Sequence, residues 1–326
     1  NKKISTIGNA IVDLLAFADN EFLKKANLEK GSMSLIDENQ TKFFLENLKI
    51  EKIAAGGSAA NTIHILADLG IETGFFGKIG EDDYGELFSQ GLKKSKISFH
   101  SLNHQKSDKT AISFILVSED GQRTMATFLG DAGKITSKID EEKIKNSEIF
   151  YVEGYLWDDR NSIKHLKEAI DFANKNGVKT AFTLSDSFCV SRHKEDFLKI
   201  VSTVLIIFAN QDEIESLFGE RADLLKIAVE NQTILAITKD KNGAEIFDGI
   251  NGKQISIPTQ FVENIIDTTG AGDSFAAGFF YGLNKGFSLA KSAKIGNLIA
   301  GEIIQTLGAK LPSATIHNLN KKIECL

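Results

Sequence analysis

Strand-like and helical segments alternate along this chain, and that alternation restricts the fold more than any other feature. Short apolar runs recur between longer stretches with helical periodicity. Such an order predicts a parallel sheet with helices on both faces. The predicted strands are 4–7, 74–79, 149–152, 180–183, 204–208 and 234–238, and the predicted helices include 58–69, 162–176, 212–217, 224–230, 274–284 and 289–306.

Composition and length are those of an ordinary globular enzyme. The chain has 326 residues, of which 42% are hydrophobic and 25% charged, enough for a sizeable core. That length allows one large α/β domain or two medium ones. Only two prolines are present, Pro258 and Pro312, and no low-complexity linker marks a boundary. We therefore expect a single domain over residues 1–326.

Charge and cysteine content narrow the expected partners and compartment. The net charge is −6 and there is no basic block, which argues against nucleic acid and anionic membranes as partners. Cys189 and Cys325 form neither a CxxC pair nor a metal-binding spacing, as expected in a reducing compartment. No apolar run reaches membrane-spanning length, and no signal-peptide pattern precedes the first strand-like run. A cytoplasmic location is the expectation.

One region interrupts the strand–helix alternation. Residues 98–128 alternate as half-buried strands do, with a hairpin turn at 118–121. Together with an insertion at about residues 14–36, this region predicts a small β layer over the carboxyl edge of the main sheet, where open α/β sheets bind ligands. We favour a lid, with an edge extension or a dimerisation sheet as alternatives. The expected state is a monomer or a homodimer through the lid.

The segment from Asp267 to Gly278 carries the strongest chemical signal. Gly270 and Gly272 precede Asp273, and a run of small apolar residues follows. A glycine turn that opens a helix directs amide N–H groups and the positive end of the helix dipole at one spot, which suits phosphate. A carboxylate there would repel phosphate, so Asp273 makes sense as a base for an attacking hydroxyl. The pattern predicts phosphoryl transfer to an alcohol, with a capping aspartate as the alternative.

This loop differs from two familiar glycine-rich motifs. A dinucleotide fingerprint requires a third glycine where Phe275 stands, and it belongs to an early strand–turn–helix unit. A Walker A loop requires Lys and then Ser or Thr after its last glycine, whereas Asp273 follows Gly272. Neither motif describes the loop.

A second glycine cluster lies at a predicted strand-to-helix turn. Gly56 and Gly57 allow a sharp turn and a close approach of a ligand to the backbone. Ser58 is a plausible N-cap, and the amide of Asn61 on the first helical turn can bind hydroxyl groups. A tight turn with a solvated Asn61 is the alternative.

Segments 56–82 and 267–280 together resemble the two signature regions of the PfkB (ribokinase-like) family of carbohydrate and nucleoside kinases. The run DTTGAGDSF at 267–275 is close to the pattern of that family. The run NQDE at 210–213 resembles its Asn-x-x-Glu motif, and residues 238–244 resemble its nucleotide-proximal strand end and turn. The motifs occur in the family's order over essentially the whole chain. The resemblance implies a doubly wound, mostly parallel α/β sheet flanked by helices, with a small β-sheet lid.

The resemblance also implies an ATP-dependent kinase and assigns roles on the donor side. Asp273 would be the general base, and an anion hole would stabilise the transferred phosphoryl group. Asn210 and Glu213 would organise Mg²⁺ through water. The remaining positions would be Gly270, Ala271 and Gly272 in the anion hole, Thr238, Lys239 and Gly243 along the nucleotide, Asn297 beside the adenine, and Asp267, Thr269 and Gly308 around the monovalent cation that family members often use.

On the acceptor side, the resemblance implies that Asp13 accepts hydrogen bonds from vicinal sugar hydroxyls, because charge-assisted bonds are strong. The other sugar-binding residues would be Gly56, Gly57 and Asn61. The opening pattern at 8–13 and the stretch 30–35 most resemble the adenosine kinase branch, so adenosine, converted to AMP, is the expected substrate. Phe114 would then cover the base or belong to the core of the lid. A free sugar (ribose, fructose or a keto-sugar acid) is the runner-up, and a non-catalytic nucleotide- or sugar-binding protein is the remote alternative.

Overall fold

The predicted alternation of strands and helices is present in the computed structural model, which describes residues 3–102, 105–259 and 262–326. Two sheets lie in the described part of the chain. The strands are Lys3–Ile7 (β1), Ile11–Phe17 (β2), Met33–Leu35 (β3), Ile50–Gly56 (β4), Thr73–Gly77 (β5), Ser98–Ser101 (β6), Ala111–Val117 (β7), Arg123–Phe128 (β8), Ser147–Glu153 (β9), Lys179–Thr183 (β10), Ile206–Asn210 (β11), Ile234–Thr238 (β12), Ala244–Asp248 (β13) and Lys253–Ile257 (β14).

Twelve α-helices connect or cover these strands in the described ranges. They are Asn20–Lys25 (α1), Glu38–Asn47 (α2), Ser58–Asp68 (α3), Asp83–Lys94 (α4), Glu141–Lys145 (α5), Arg160–Lys175 (α6), Ser187–Val201 (α7), Gln211–Phe218 (α8), Leu224–Asn231 (α9), Ala271–Asn284 (α10), Leu289–Ile303 (α11) and Ser313–Glu324 (α12). Short 3₁₀ turns follow β9 and β12.

The main sheet has nine described strands in the order β14-β13-β12-β11-β10-β9-β1-β5-β6. The pairs from β12 through β6 are parallel, whereas β13 and β14 add an antiparallel hairpin at one edge. The chain adds β5 on one side of β1 and later adds β9 on the other. Because the strand order reverses beside β1, the crevice at the carboxyl ends of these strands is the expected ligand site.

Side chains of the parallel strands alternate between two hydrophobic cores. Phe75 and Tyr151 face one core together with apolar residues of α3, α10 and α11. The next residues along the same strands, Phe76 and Val152, face the other core with residues of α6, α7 and α8. This period of two, with both faces covered, is what a doubly wound α/β sheet requires and confirms the predicted fold class.

The second sheet has the strand order β3-β8-β7-β2-β4. Its hairpin, β7–β8, is the one predicted around 118–121, but its limits differ from those predicted for the lid. β6 at Ser98–Ser101 pairs with β5 in the main sheet, and β4 at Ile50–Gly56 pairs with β2 in the second sheet. The predicted bounds of about 14–36 and 98–128 were therefore wrong at these two strands. Sheet membership depends on partners distant in sequence, which local alternation does not specify.

None of the helices in the described ranges has both the length and the apolar character needed to cross a membrane.

Candidate active site

The first turn of α10 carries Asp273 at the carboxyl edge of the main sheet. Gly270 is the N-cap residue, with φ of 77°, and a Cβ there would lie 2.7 Å from Cβ of Ala309. Glycine is thus required both for the backbone conformation and for the space. The amide of Ala271 donates to the Thr268 carbonyl at 3.2 Å, whereas those of Gly270, Gly272 and Asp273 have no acceptor among the described residues. Of the three amides predicted for the anion hole, those of Gly270 and Gly272 are therefore free to bind an anion, and the Asp273 amide is free beside them.

Two side chains of α3 hold the Asp273 carboxylate. Ser58 Oγ donates to Oδ1 at 2.6 Å, and Asn61 Nδ2 donates to Oδ2 at 3.0 Å. Burial raises the pKa of Asp273 to about 6, while these two hydrogen bonds act in the opposite direction. Ser58 is the first residue of α3 rather than its N-cap, which is Gly57, so the predicted capping role was wrong. Its hydroxyl is directed across the site to Asp273 instead.

Asp13 lies on β2 and faces the cleft between the second sheet and the loop before α12. Burial raises its pKa to about 7, and the nearby charge of Lys310 opposes that rise. Its carboxylate makes no hydrogen bond to another described residue. A Cβ on Gly56 would lie 2.0 Å from Asp13 Oδ2, so glycine at this position leaves room for the carboxylate. The cleft measures about 50 Å³ and is lined by Asp13, Asn61, Arg123 and Lys310, among others.

Phe114 does not lie on the cleft side of the second sheet. In the β2–β7 register, Asp13 is opposite Ser113, and Leu14 is opposite Phe114. Phe114 therefore faces away from Asp13, where its fully buried ring packs edge-on against Phe44 of α2 at 5.0 Å. The assignment of Phe114 to substrate binding was wrong, and its alternative as core is what the structure shows. β7 is apolar at nearly every position, so its residues show no polar–apolar alternation that would indicate the cleft-facing side.

Asn210 and Glu213 form a reciprocal cap at the end of β11. Asn210 Oδ1 accepts from the Glu213 amide at 2.8 Å, and Glu213 Oε2 accepts from the Asn210 amide at 3.0 Å. Asn210 Nδ2 also donates to Glu213 Oε1 at 2.8 Å. Glu213 is buried, which raises its pKa to about 7. Glu213 forms no ion pair with a described residue, and a buried carboxylate beside an amide oxygen is a donor set that suits Mg²⁺.

The other predicted nucleotide residues lie along β12 to β14 and α11. Thr238 ends β12, and Lys239 forms an ion pair across the hairpin with Glu245. Gly243 has φ of 86°, and a Cβ there would lie 2.1 Å from the Ile257 carbonyl. Asn297 Nδ2 donates to that same carbonyl at 3.2 Å. Asn297 also lines a cavity of about 360 Å³ with Pro258, Thr259, Leu298, Gly301 and Gln305, among others.

The three residues predicted around a monovalent cation are held together by Asp267. Its Oδ1 accepts from the Thr269 amide at 3.0 Å, and its Oδ2 accepts from the Gly308 amide at 2.8 Å. Arg123 of β8 also reaches this carboxylate, with Nη1 2.6 Å from Oδ2. A guanidinium therefore already neutralises Asp267, and the monovalent cation stays a prediction.

Three functional candidates, Arg123, Lys310 and Glu153, were not assigned from the sequence. Arg123 and Lys310 bring positive charge to the acceptor cleft. Glu153 is a fully buried acid at the end of the apolar strand β9. An acidic residue that ends a buried strand at the carboxyl edge of the sheet is the signal that would have singled out Glu153.

Comparison with known proteins identifies the family. The model of the pfkB family of carbohydrate kinases matches residues 47–316, most of the chain. The chain belongs to the PfkB family. The motifs predicted at 56–82 and 267–280 both lie within the matched range. As a PfkB kinase, it is a phosphotransferase with a hydroxyl group as acceptor and ATP as the donor.

Solved structures and curated proteins of this family extend over nearly the whole chain. The adenosine kinase of Sinorhizobium meliloti is 34% identical, with 98% of this chain and 99% of that chain covered and a TM-score of 0.87. A probable sugar kinase of Rhizobium etli is 32% identical, with coverages of 100% and 99% and a TM-score of 0.88. The adenosine kinase of Saccharomyces cerevisiae is 27% identical over 335 residues, which cover 95% of this chain and 97% of that protein.

Proposed function

We propose that this PfkB kinase phosphorylates the primary 5′-hydroxyl of adenosine, giving AMP and ADP. The observation that carries the proposal is the position of Asp273. Its carboxylate is at the positive end of α10, beside free amides, and is bonded to Ser58 and Asn61 of α3. A base in this position has an anion site on one side and a hydroxyl-binding side on the other.

In the proposed step, Asp273 accepts the proton of the acceptor hydroxyl as its oxygen attacks the γ-phosphorus of ATP. The new P–O bond forms while the bond to the bridging oxygen of ADP breaks, so the proton passes to the carboxylate and the negative charge leaves on ADP. The free N–H groups of Gly270, Gly272 and Asp273 stabilise charge on the transferred phosphoryl group. Asn210 and Glu213 would hold Mg²⁺, which would supply charge neutralisation for the phosphates.

The cleft face of the second sheet supports a nucleoside acceptor. Asp13 shares this face with apolar side chains on neighbouring strands, set by the strand register. Hydroxyls of a ribose would bond to Asp13, and the apolar side chains would cover the flat face of a base. Two of the similar proteins are named adenosine kinases. The apolar residues are Leu15, Phe17, Met33, Leu35, Ile115 and Met125.

The size of the acceptor cleft supports the proposed lid. A cleft of about 50 Å³ holds a water molecule but not a nucleoside. In this proposal the second sheet moves away from the loop at 307–310 when the acceptor enters, and it closes again to exclude water from the phosphoryl group.

Positive charge in the cleft favours a second candidate acceptor, a keto-sugar acid. Lys310 and Lys52 line the cleft next to Asp13. A sugar carboxylate would pair with these ammonium groups, whereas an uncharged nucleoside would not. The similar protein from Rhizobium etli is named a probable sugar kinase.

The proposal is tested by measuring ADP release from ATP and Mg²⁺ with adenosine, ribose, fructose and a keto-sugar acid as acceptors. We expect adenosine to give the highest kcat/KM, and Asp273→Asn to lower kcat by about 100- to 10,000-fold. A higher kcat/KM for a sugar would show that adenosine is not the preferred acceptor. Full activity of Asp273→Asn would show that Asp273 is not the general base.

A further inference from the structure

Glu153 is a buried carboxylate that joins three parts of the acceptor side. Its Oε1 accepts from the backbone amide of Asn9 at 3.3 Å and from Asn9 Nδ2 at 3.2 Å. Its Oε2 accepts from the amide of Ala59 at 3.0 Å. Only 1% of Glu153 is exposed, and burial raises its pKa to about 7. Too little of Glu153 is accessible for it to contact a substrate directly.

The Ala59 bond supplies a cap that α3 lacks. Gly57, the N-cap residue, has no side chain with which to satisfy the free amides of the first turn. Glu153 reaches one of these amides from β9, and its charge also suits the positive end of the helix dipole. A Cβ on Gly8 would lie 2.3 Å from Glu153 Oε2, so glycine at the end of β1 makes this approach possible.

The same helix start carries the two side chains that hold the base. Ser58 is the residue before Ala59, and Asn61 is two residues after Ala59. Both donate to the carboxylate of Asp273, and Thr62 Oγ1 donates to its backbone carbonyl at 3.1 Å. A shift in the start of α3 therefore changes the position of the Asp273 carboxylate relative to the attacking hydroxyl.

We infer that Glu153 is a positioning residue that fixes the start of α3 to the main sheet and thereby aligns Asp273 through Ser58 and Asn61. The inference rests on the proposed role of Asp273 as the base. It assigns no substrate contact to Glu153. The predicted nucleotide residues lie at the ends of β11 and β12, in the turn after β12, and on α8 and α11. In the main sheet, β10 lies between β9, which carries Glu153, and β11.

The test is Glu153→Gln, which keeps the shape of the side chain but places an NH₂ group where an acceptor is needed. We expect kcat with adenosine to fall about 10- to 100-fold, because misplacement of a reacting group by about 1 Å can lower the rate by about 100-fold. The KM for ATP should stay within about twofold of the wild-type value. Asp248→Asn is the matched control, since Asp248 is also buried and accepts from backbone amides, but it ends β13. It should leave kcat unchanged.

A double-mutant cycle with Asn61→Ala separates positioning from general destabilisation. If Glu153 acts through α3, the combined variant loses less kcat than the product of the two single losses. Asn9→Ala is a second, milder variant, because it removes one of the bonds to Oε1 and leaves Glu153 in place. We expect it to lower kcat less than Glu153→Gln does, again without a change in the KM for ATP.

Three results would each overturn the inference. They are an unchanged kcat in Glu153→Gln, equal losses in kcat and in ATP affinity, and independent effects of the Glu153 and Asn61 changes. If the wild-type enzyme does not phosphorylate adenosine, the proposed substrate is rejected, but the inference about Glu153 is not. The same variants are then compared with the acceptor from the panel that is turned over.

Discussion

At the scale of single residues, the ionisation of Asp273 controls the proposed chemistry. A base must be deprotonated to act, so kcat/KM should rise with pH to a plateau, with a midpoint near the pKa of about 6. Ser58 stabilises the charged carboxylate, and Ser58→Ala should therefore raise that pKa and move the acidic limb to higher pH. The loss of activity should then be larger at pH 6 than at about pH 8.

This pH effect is measured as kcat/KM between about pH 5 and about pH 9. Ser202→Ala is the control, because Ser202 is an exposed serine at the end of α7 whose hydroxyl donates to the Lys199 carbonyl of its own helix. An acidic limb that stays in place in Ser58→Ala would show that another group governs the profile.

Gly56 leaves the space that the Asp13 carboxylate occupies, much as Ser58 holds the carboxylate of Asp273. In Gly56→Ala the new methyl group would meet the Asp13 carboxylate, with a distance of 2.0 Å before relaxation. We expect Gly56→Ala to reproduce the effect of Asp13→Asn, a rise of about 10- to 100-fold in the KM for the acceptor, because a charged hydrogen bond is lost. The KM for ATP should not change. Steady-state kinetics with each substrate varied in turn would check this, and a selective rise in the KM for ATP would contradict it.

Residue types that a motif fixes could be predicted from the sequence, whereas contacts between distant residues could not. The glycine turn and Asp273 were recognisable because their chemistry is contained in a few consecutive positions. The bond from Ser58 to Asp273 joins residues 215 positions apart. Local pattern therefore suggested a cap for Ser58, and only the packing of α3 against α10 gives its hydroxyl another role.

At the scale of elements, the ion pair of Arg123 and Asp267 connects β8 of the second sheet to the loop before α10. Both side chains are largely buried, with exposures of 11% and 4%. Arg123→Met would leave Asp267 buried without its cation, so we expect the free energy of unfolding to fall by about 3 to 5 kcal/mol. Urea denaturation would measure this change.

Lys30→Met is the matched control for that loss. Lys30 pairs with Asp120 at 2.7 Å, also within the second-sheet region, but its partner is 57% exposed. Solvent screens such an exposed pair, so its loss should leave the free energy of unfolding nearly unchanged. Similar losses in the two variants would contradict a special contribution from the buried pair.

Strands were predictable as elements, but their assignment to sheets was not. Alternation predicted the β7–β8 hairpin correctly because its turn residues and flanking runs are adjacent in sequence. β6 was assigned to the wrong sheet, because its partner β5 lies beyond α4. β7 is apolar at nearly every position, so its sequence does not indicate which residues face the cleft. Phe114 was assigned to the cleft for this reason.

At the scale of the whole molecule, four buried carboxyl groups near the site make stability depend on pH. Burial raises the pKa of Asp13, Glu153 and Glu213 to about 7 and that of Asp273 to about 6. Above the ordinary carboxyl pKa of about 4, the unfolded chain has released these protons while the native protein still holds them. The free energy of unfolding should therefore fall as pH rises from about 4.5 to about 7.

Thermal unfolding at several pH values would check this expectation. Replacing one of the four, as in Glu213→Gln, should reduce the dependence of Tm on pH, because an amide does not titrate. A Tm that is constant or rises across this range would show that these groups do not hold their protons in the native protein.

The way the chain enters the second sheet has a consequence for redesign of the acceptor side. β2 follows β1 directly, β4 leads into α3, and the β7–β8 hairpin comes after β6, so the sheet is assembled from segments interleaved with main-sheet strands. The stretch that encodes it, residues 11–128, also encodes β5 and β6 of the main sheet. A chimera that exchanges the second sheet alone must therefore graft several separate segments at once, and recombination at a crossover within 11–128 would divide one of the two sheets between two parents.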